Sequence, residues 1–429
     1  MASVLLGCIL GTITGLIPGL HVNNVALLLV AMSPSLLVHG ISPIYIVVII
    51  LATSIAHTFL DFVPSIFLGA PEADTALAVL PGHRMLLEGR GVEAVRLSAL
   101  GSAGSVTVAL LLVAPLSMLV YHIYPVLHQH MGWILLTIVL LMIGSESGEM
   151  VEGQGSLAHL KYKGYAILVF LLSGVLGILA FIGDGLMDPL LPMGTPAILF
   201  PLFCGLFGAS MLSISLITRS VIPAQTEVVE FDLPSRNIVR GVFTGSIAGS
   251  LVAWLPGISS AVATVIIRLA IREDNDGDSA REFIVAVSGV NTANAIFSLI
   301  ALYIIHRPRS GAMVAVNEIL NPATWDVSLV VLFLAVIVSV SIISYFVTIS
   351  VGERISKALS RLNYQRISAT VLMCLCVMVI LTTGLFGMIV FATATAIGMI
   401  PSYFKVRKSH AMGVLLFPLI LFFFGIFRW

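Results

Sequence analysis

The sequence predicts an all-α polytopic membrane protein, with about 10–12 transmembrane helices in two repeated halves. Of its 429 residues, 59% are hydrophobic and only 10% are charged. Mean hydropathy is +1.10, and a spanning helix needs about 20 mostly apolar residues. The formal net charge is zero, which gives no basic footprint for a nucleic acid. Each half is predicted to contain a Pro-Gly-broken helix and a re-entrant segment.

The first broken helix has its interruption at Pro18 and Gly19. Proline removes a backbone donor, and glycine accepts backbone angles that other residues avoid. His21, Asn23 and Asn24 follow directly and open the next helical piece, where asparagine caps well. We therefore predict that these five residues bind substrate, because unwound backbone at membrane depth exposes groups that can bind a solute.

The same interruption recurs at Pro256 and Gly257, 238 residues further on. Ser259 and Ser260 follow it and complete the predicted substrate residues there. At this offset Val4, Gly7, Ile9, Gly11, Pro18 and Gly19 fall on Val242, Gly245, Ile247, Gly249, Pro256 and Gly257. Matched broken helices in two halves point to the substrate site of a secondary transporter. A pair of packing kinks is the competing interpretation, because Gly and Pro are common in membrane helices.

The chain divides into a transmembrane half at 1–218, a polar linker at 219–239 and a second transmembrane half at 240–429. An inverted repeat is common in transporters, but the charge bias leaves parallel and inverted arrangements open. The basic links at 353–366 and 405–408 are expected to be cytoplasmic anchors.

Four acidic or titratable residues of the first half are candidates for carrying a coupling ion. His57 and Asp61 are four residues apart near the end of an apolar helix, so they share one face. An Asp at membrane depth is costly and suggests function, whereas an Asp at the interface costs little. Glu72 and Asp74 lie at the tip of a predicted re-entrant segment, 64–82, where simple capping of a helix is the alternative role.

The second half carries amides and arginines at the corresponding places. Asn291 and Asn294 lie on an apolar span, and at an offset of 237 residues Asn294 corresponds to His57. Arg307 and Arg309 then fall opposite the acidic tip of the first half. We predict that all four contribute to an anion site, although arginines just past a span can also snorkel to the interface.

These motifs resemble a known family. The run Gly15-Leu-Ile-Pro-Gly-Leu-x-x-Asn-Asn24 is similar to the opening signature of the TctA family, the large permease subunits of tripartite tricarboxylate transporters. The resemblance covers most of the chain but is specific at few points. The other matching points are Pro256-Gly257, the Asn-rich span at 291–294, Gly69-x-Pro71 and Leu87-x-Gly-x-Gly91.

The resemblance implies a permease that moves small carboxylates such as citrate, driven by a cation gradient, and not an enzyme. It implies no cofactor beyond Na⁺ or H⁺ as coupling ion, and a multi-pass location in a prokaryotic cytoplasmic membrane. The partners it implies are a small membrane subunit and a substrate-binding protein; a homodimer is left open. The site positions carried over are Pro18, Gly19, Asn23, Asn24, Pro256, Gly257, Asn291 and Asn294.

Two departures from the family pattern concern the charge of the site. The family usually has Gly-Pro where this chain has His21-Val22, and a glutamate where this chain has Asn291. Losing an acid and gaining a histidine changes which anion the site accepts. The identity of the carboxylate therefore stays open.

Two other functions compete with carboxylate transport. Arg307 and Arg309 could take the phosphate head group of a polyprenyl phosphate, which would make the protein a lipid-phosphate carrier. His57 and Asp61 could act as acid and base in an intramembrane enzyme. The sequence contains neither His-Glu-x-x-His nor Gly-x-Ser-x-Gly, so the enzymatic signal is weak.

Overall fold

The computed structural model describes most of the chain, and the described residues are largely helical. They are residues 1–17, 22–69, 79–146, 157–190, 198–218, 223, 225–226, 233–254, 260–271, 278–359 and 364–427. Helices dominate because backbone N–H and C=O groups in a membrane must be paired within their own segment.

The helices of the first half vary from five to 39 residues in length. They are α1 (Ala2–Leu16), α2 (Val22–Val38), α3 (Pro43–Leu60), α4 (Phe62–Phe67), α5 (Val79–Leu87), α6 (Gly91–Gln129), α7 (Met131–Gly144), α8 (Leu157–Ile182), α9 (Leu199–Phe203) and α10 (Ser210–Ile217). A short π-helix, Cys204–Ala209, joins α9 to α10.

The helices of the second half include the two longest apolar ones after α6. They are α11 (Ser235–Trp254), α12 (Ser260–Ala270), α13 (Asp278–Ile305), α14 (Gly311–Ile319), α15 (Val327–Leu359), α16 (Tyr364–Phe404) and α17 (Gly413–Phe423). A 3₁₀ helix, Lys408–Met412, leads directly into α17.

Within the described residues, seven helices are long and apolar enough to cross a membrane. They are Pro43–Phe67, Gly91–Val120, Leu160–Ile182, Leu199–Ile217, Asp278–Ile305, Val327–Ala358 and Gln365–Phe404. The end of α6 and α7 form a further pair, bent by 67°. Shorter apolar helices are Ala2–Leu16, Leu28–Val38 and Lys408–Phe423. The protein is therefore an all-α polytopic membrane protein, as predicted.

Two span boundaries differ from those expected from the sequence. The segment after Asp61 was expected to begin a separate re-entrant arm, yet α4 continues α3 within one candidate span, Pro43–Phe67. Two spans were expected around Gly384, but α16 runs through it with a kink, because Gly384 has φ 69° and ψ −161°. Glycine adopts that conformation at no steric cost.

Close packing of α1 on α3 depends on glycines spaced four residues apart. A Cβ added to Gly11 would lie 2.5 Å from the Thr53 carbonyl oxygen, 2.6 Å from Ala56 Cβ and 3.0 Å from the His57 nitrogen. The two backbones approach this closely only because Gly11 has no side chain. Small residues at such spacing are the usual means of packing helices in membranes.

The helices α11 and α13 pack in the same register. A Cβ added to Gly249 would lie 2.5 Å from the Val290 carbonyl oxygen, 2.8 Å from Ala293 Cβ and 3.0 Å from the Asn294 nitrogen. The three neighbours match those of the first pair at an offset of 237 residues, and the glycines match at 238. His57 and Asn294 thus occupy corresponding positions on two similarly packed helix pairs.

Ion pairs fix the beginnings of α6, α11 and α13 to one another. The Arg281 guanidinium contacts Glu93 at 3.1 Å and Asp278 at 2.5 Å, and both Arg281 and Glu93 are buried. Arg240 pairs in a bidentate manner with the fully buried carboxylate of Glu282. Bidentate pairs hold geometry well, so these helix ends form a fixed frame for the residues further along α13.

Candidate functional site

Asp61 occupies the single-residue junction between α3 and α4 and is 1% exposed. Its backbone N–H donates to the His57 carbonyl at 3.0 Å, and the Ser65 hydroxyl donates to the Asp61 carbonyl at 2.9 Å. The structure therefore places this carboxyl inside the protein, and not on its surface. A buried acid within a candidate membrane span has a high desolvation cost and points to function.

Asn291 of α13 reaches Asp61 from the other half of the chain. Its amide Nδ2 donates to Asp61 Oδ2 at 2.7 Å, and Asn291 is itself buried. One turn away on α3, the Thr58 and Thr292 hydroxyls are 3.2 Å apart, and both are buried. The structure thus joins one predicted coupling residue and one predicted substrate residue in a buried polar contact, which we call the α3–α13 junction.

His57 lies on the side of α3 that faces α1. Its Nδ1 is 3.0 Å from the Thr14 hydroxyl, and both residues are buried. His57 and Asp61 therefore have different printed neighbours, on α1 and on α13 respectively. No hydrogen bond described here joins the two in the acid–base pair that an intramembrane enzyme would use.

Asn294 lies one turn beyond Asn291 and contacts the start of α12. Its Nδ2 donates to the buried Ser260 hydroxyl at 3.2 Å, and its Oδ1 accepts from the Ser298 hydroxyl at 3.3 Å. The half-buried amide is thereby held beside the helix that follows the second Pro-Gly pair. Asn294 and Ser260, both predicted substrate residues, are in contact.

Asn23 makes a contact that its sequence position did not suggest. It lies in the first turn of α2, where it was expected to cap that helix. Instead, its Oδ1 accepts the backbone N–H of Ala312 at 3.1 Å, at the start of α14. The Ser310 hydroxyl accepts from Met313 at 3.3 Å and caps the same helix end. Asn23 thus joins the first broken helix to the second half.

The two predicted arginines lie elsewhere. Arg309 Nη2 donates to the Tyr124 hydroxyl at 2.9 Å, and its guanidinium carbon lies 5.6 Å from the centre of that ring. Arg307 is exposed. No described contact brings either arginine to the α3–α13 junction, so the geometry gives the lipid-phosphate interpretation no additional support.

Several predicted residues lie outside the described part of the chain. They are Pro18, Gly19, His21, Glu72, Asp74, Pro256, Gly257 and Ser259. The backbone of Asn24 belongs to α2, and its side chain is likewise not described. Their roles remain predictions.

The structure adds polar residues that the sequence analysis did not single out. Thr14 could have been found from helical spacing, because it shares a face with Gly7 and Gly11. Lys408, expected in a basic surface link, is instead buried. Glu146, at the start of a polar loop, is buried as well. Neither carries a sequence signal of burial, since both stand in hydrophilic stretches.

Comparison with known proteins gives a consistent assignment. The family model of the tripartite tricarboxylate transporter TctA family matches residues 1–413. An uncharacterized protein of Methanocaldococcus jannaschii is 28% identical over 428 residues, which cover 98% of each chain. No solved structure matches this chain. Because the family model covers nearly the whole length, the chain belongs to the tripartite tricarboxylate transporter TctA family.

Proposed function

We propose that this chain is a permease that moves a small carboxylate across the membrane by cation-coupled alternating access. The observation that carries the proposal is the α3–α13 junction, where buried Asp61 accepts a hydrogen bond from Asn291. An acid between two helices of different halves is suited to link ion binding to their relative position.

Asp61 is the residue we assign to the coupling ion. Burying a carboxylate is costly unless its charge is neutralised, and the amide of Asn291 is a neutral donor. A sodium ion or a proton would neutralise that charge. His57, on the adjacent turn of α3, is the second candidate, with Glu72 and Asp74 as further predicted contributors.

Asn294 and Ser260 are the described residues that we assign to substrate. Amide and hydroxyl groups can replace water around a carboxylate, and the start of a helix after a break adds a positive dipole end. Asn23 occupies the analogous place after the first break. Since Asn291 replaces the family's usual glutamate, we propose that the substrate class is small carboxylates in general, with citrate as one member to test.

We further propose that the two halves are an inverted repeat and that α1–α3 and α11–α13 are its corresponding pairs. Their matching glycine contacts support this pairing. Alternating access would then change the contacts between α3 and α13. As in other members of tripartite systems, a small membrane subunit and a substrate-binding protein would assist uptake.

Replacement of Asp61 tests the coupling role. Asp61→Asn in proteoliposomes should retain exchange of labelled citrate or succinate but lose accumulation driven by a sodium or proton gradient. Asp184→Asn removes an exposed acid and serves as the matched control, with accumulation unchanged. Undiminished accumulation by Asp61→Asn would remove Asp61 from the coupling step.

A further inference from the structure

A second buried polar cluster lies away from the α3–α13 junction, between α5, α10 and the 3₁₀ helix before α17. Its centre is Lys408, whose ammonium donates to the Ser210 hydroxyl at 3.2 Å. Lys408 is only 6% exposed. Among the residues that the structure describes, no carboxylate forms an ion pair with it. A buried ammonium without a counter-charge is expensive.

Ser210 is held so that its oxygen faces the ammonium as an acceptor. Its own proton is donated to the Leu206 carbonyl at 2.6 Å, in the π-helix that precedes α10. π-helical segments are frequent at functional sites. An ammonium has three donors, and Ser210 accepts one of them. An incoming anion could accept the others.

The nearest acid is already engaged. Glu146 Oε2 accepts from His410 Nε2 at 2.6 Å and from the Arg407 backbone N–H at 3.1 Å. This carboxylate therefore neutralises a different part of the cluster. The positive charge of Lys408 remains available to a ligand.

His83 brings a second nitrogen-bearing side chain to the same cluster. It is 1% exposed and close enough to Lys408 for their charges to interact. Because a carbonyl can only accept, Nδ1 must donate to the Ile66 carbonyl, 3.0 Å away. A Cβ on Gly69 would lie 3.8 Å from the His83 ring, so the chain passes this cluster immediately before the predicted re-entrant tip.

We propose that Lys408, Ser210 and His83 form an anion site that takes one carboxylate group of a small organic acid. Lys408 supplies the charge, and Ser210 fixes the position of the ammonium. The choice of a carboxylate rests on the proposed function; the presence of an anion site rests on the buried ammonium alone. A dicarboxylate or tricarboxylate would satisfy the donors that the protein leaves open.

Thermal stabilisation of the purified protein tests the site with citrate, succinate and inorganic phosphate, each against chloride at matched ionic strength. A ligand that binds only the native state raises the melting temperature. We expect Lys408→Met to raise the Kd for the organic acids by about tenfold or more, since a charge-assisted hydrogen bond is lost. Lys405→Met removes an exposed charge of the same link and should leave the Kd unchanged.

The wild-type protein provides a second test that does not depend on the folding of a variant. Citrate should slow modification of Lys408 by an amine-reactive reagent, measured by mass spectrometry, and leave modification of Lys405 unaffected. Protection of Lys408 together with the loss of affinity would support the site.

The possible failures are distinguishable. Carboxylate binding that is equal in Lys408→Met and Lys405→Met, without protection of Lys408, would overturn the site and leave the proposed function intact. A wild-type response to phosphate but to neither organic acid would overturn the carboxylate assignment. A wild type stabilised by none of the three probes would overturn both the site and the proposed substrate class.

Discussion

Asp61 and Asn291 stand 230 positions apart in the chain, and a hydrogen bond of 2.7 Å joins their side chains. Both residues are buried, and they belong to α3 and α13. A movement of one helix past the other has to break this bond. The bond therefore connects the charge state of one carboxyl to the relative position of the helices that carry most of the candidate site.

Replacing Asn291 with leucine should destabilise the protein. Asn291→Leu removes the amide donor and leaves a buried acid beside an apolar side chain. We expect the free energy of unfolding to fall by about 1.5–3 kcal/mol, the range for hydrogen bonds to charged groups. Denaturant titration in detergent micelles measures the change.

A double-mutant cycle supplies the control for Asn291→Leu. Removing both polar partners is often nearly neutral, whereas removing one is costly. The double variant Asp61→Leu with Asn291→Leu should therefore be more stable than the sum of the single changes predicts. Strict additivity would mean that the two side chains are not energetically coupled.

A methyl group on Gly11 should also destabilise the protein, through steric overlap. An alanine Cβ there would lie 2.5 Å from the Thr53 carbonyl oxygen, a backbone atom that cannot rotate away. Overpacking of this kind costs about 1–3 kcal/mol. Gly164→Ala is the matched control, because nothing lies within 4 Å of its added Cβ. A thermal melt in which Gly11→Ala matches Gly164→Ala would contradict the close packing of α1 on α3.

Composition and repeated motifs were sufficient to predict the helical membrane fold and the segments that matter. Apolar length predicts spans because membrane backbone must pair internally. The offset that relates Gly11 to Gly249 also predicted which helices pack alike, since small residues mark close helix contacts. The same offset paired His57 with Asn294, and the backbone contacts of the two residues correspond.

Contacts between the halves could not be predicted from one sequence. Local spacing shows which residues share a helix face, but it does not show which other helix that face meets. Asp61 and Asn291 were therefore selected separately, for different roles. Asn23 was expected to cap its own helix and instead accepts from α14. Lys408 was assigned to a surface link because a short basic run looks the same whether it is exposed or folded inward.

Loss of the Asn294 side chain should reduce transport without unfolding the protein. Asn294 is half-buried, so its truncation to alanine opens little space, yet it removes the amide that contacts Ser260. We expect Asn294→Ala to lower uptake of the transported carboxylate by about tenfold or more, because each unmade polar contact with a charged ligand is worth about 1.5–3 kcal/mol. Asn321→Ala changes an exposed asparagine and should leave uptake unchanged. Normal uptake by a well-folded Asn294→Ala would remove Asn294 from the site.

Gly311→Ala should reproduce the effect of losing Asn23. A Cβ on Gly311 would lie 2.6 Å from Asn23 Cγ and 2.8 Å from its Oδ1, so the methyl group must displace the asparagine from the Ala312 N–H. Loss of a helix cap costs about 0.5–2 kcal/mol, and we expect Asn23→Ala and Gly311→Ala each to lower the free energy of unfolding by a value in that range. Because both changes break the same contact, the double variant should be little worse than either single variant, in stability and in uptake alike. Fully additive losses would show that Asn23 acts through some contact other than the start of α14.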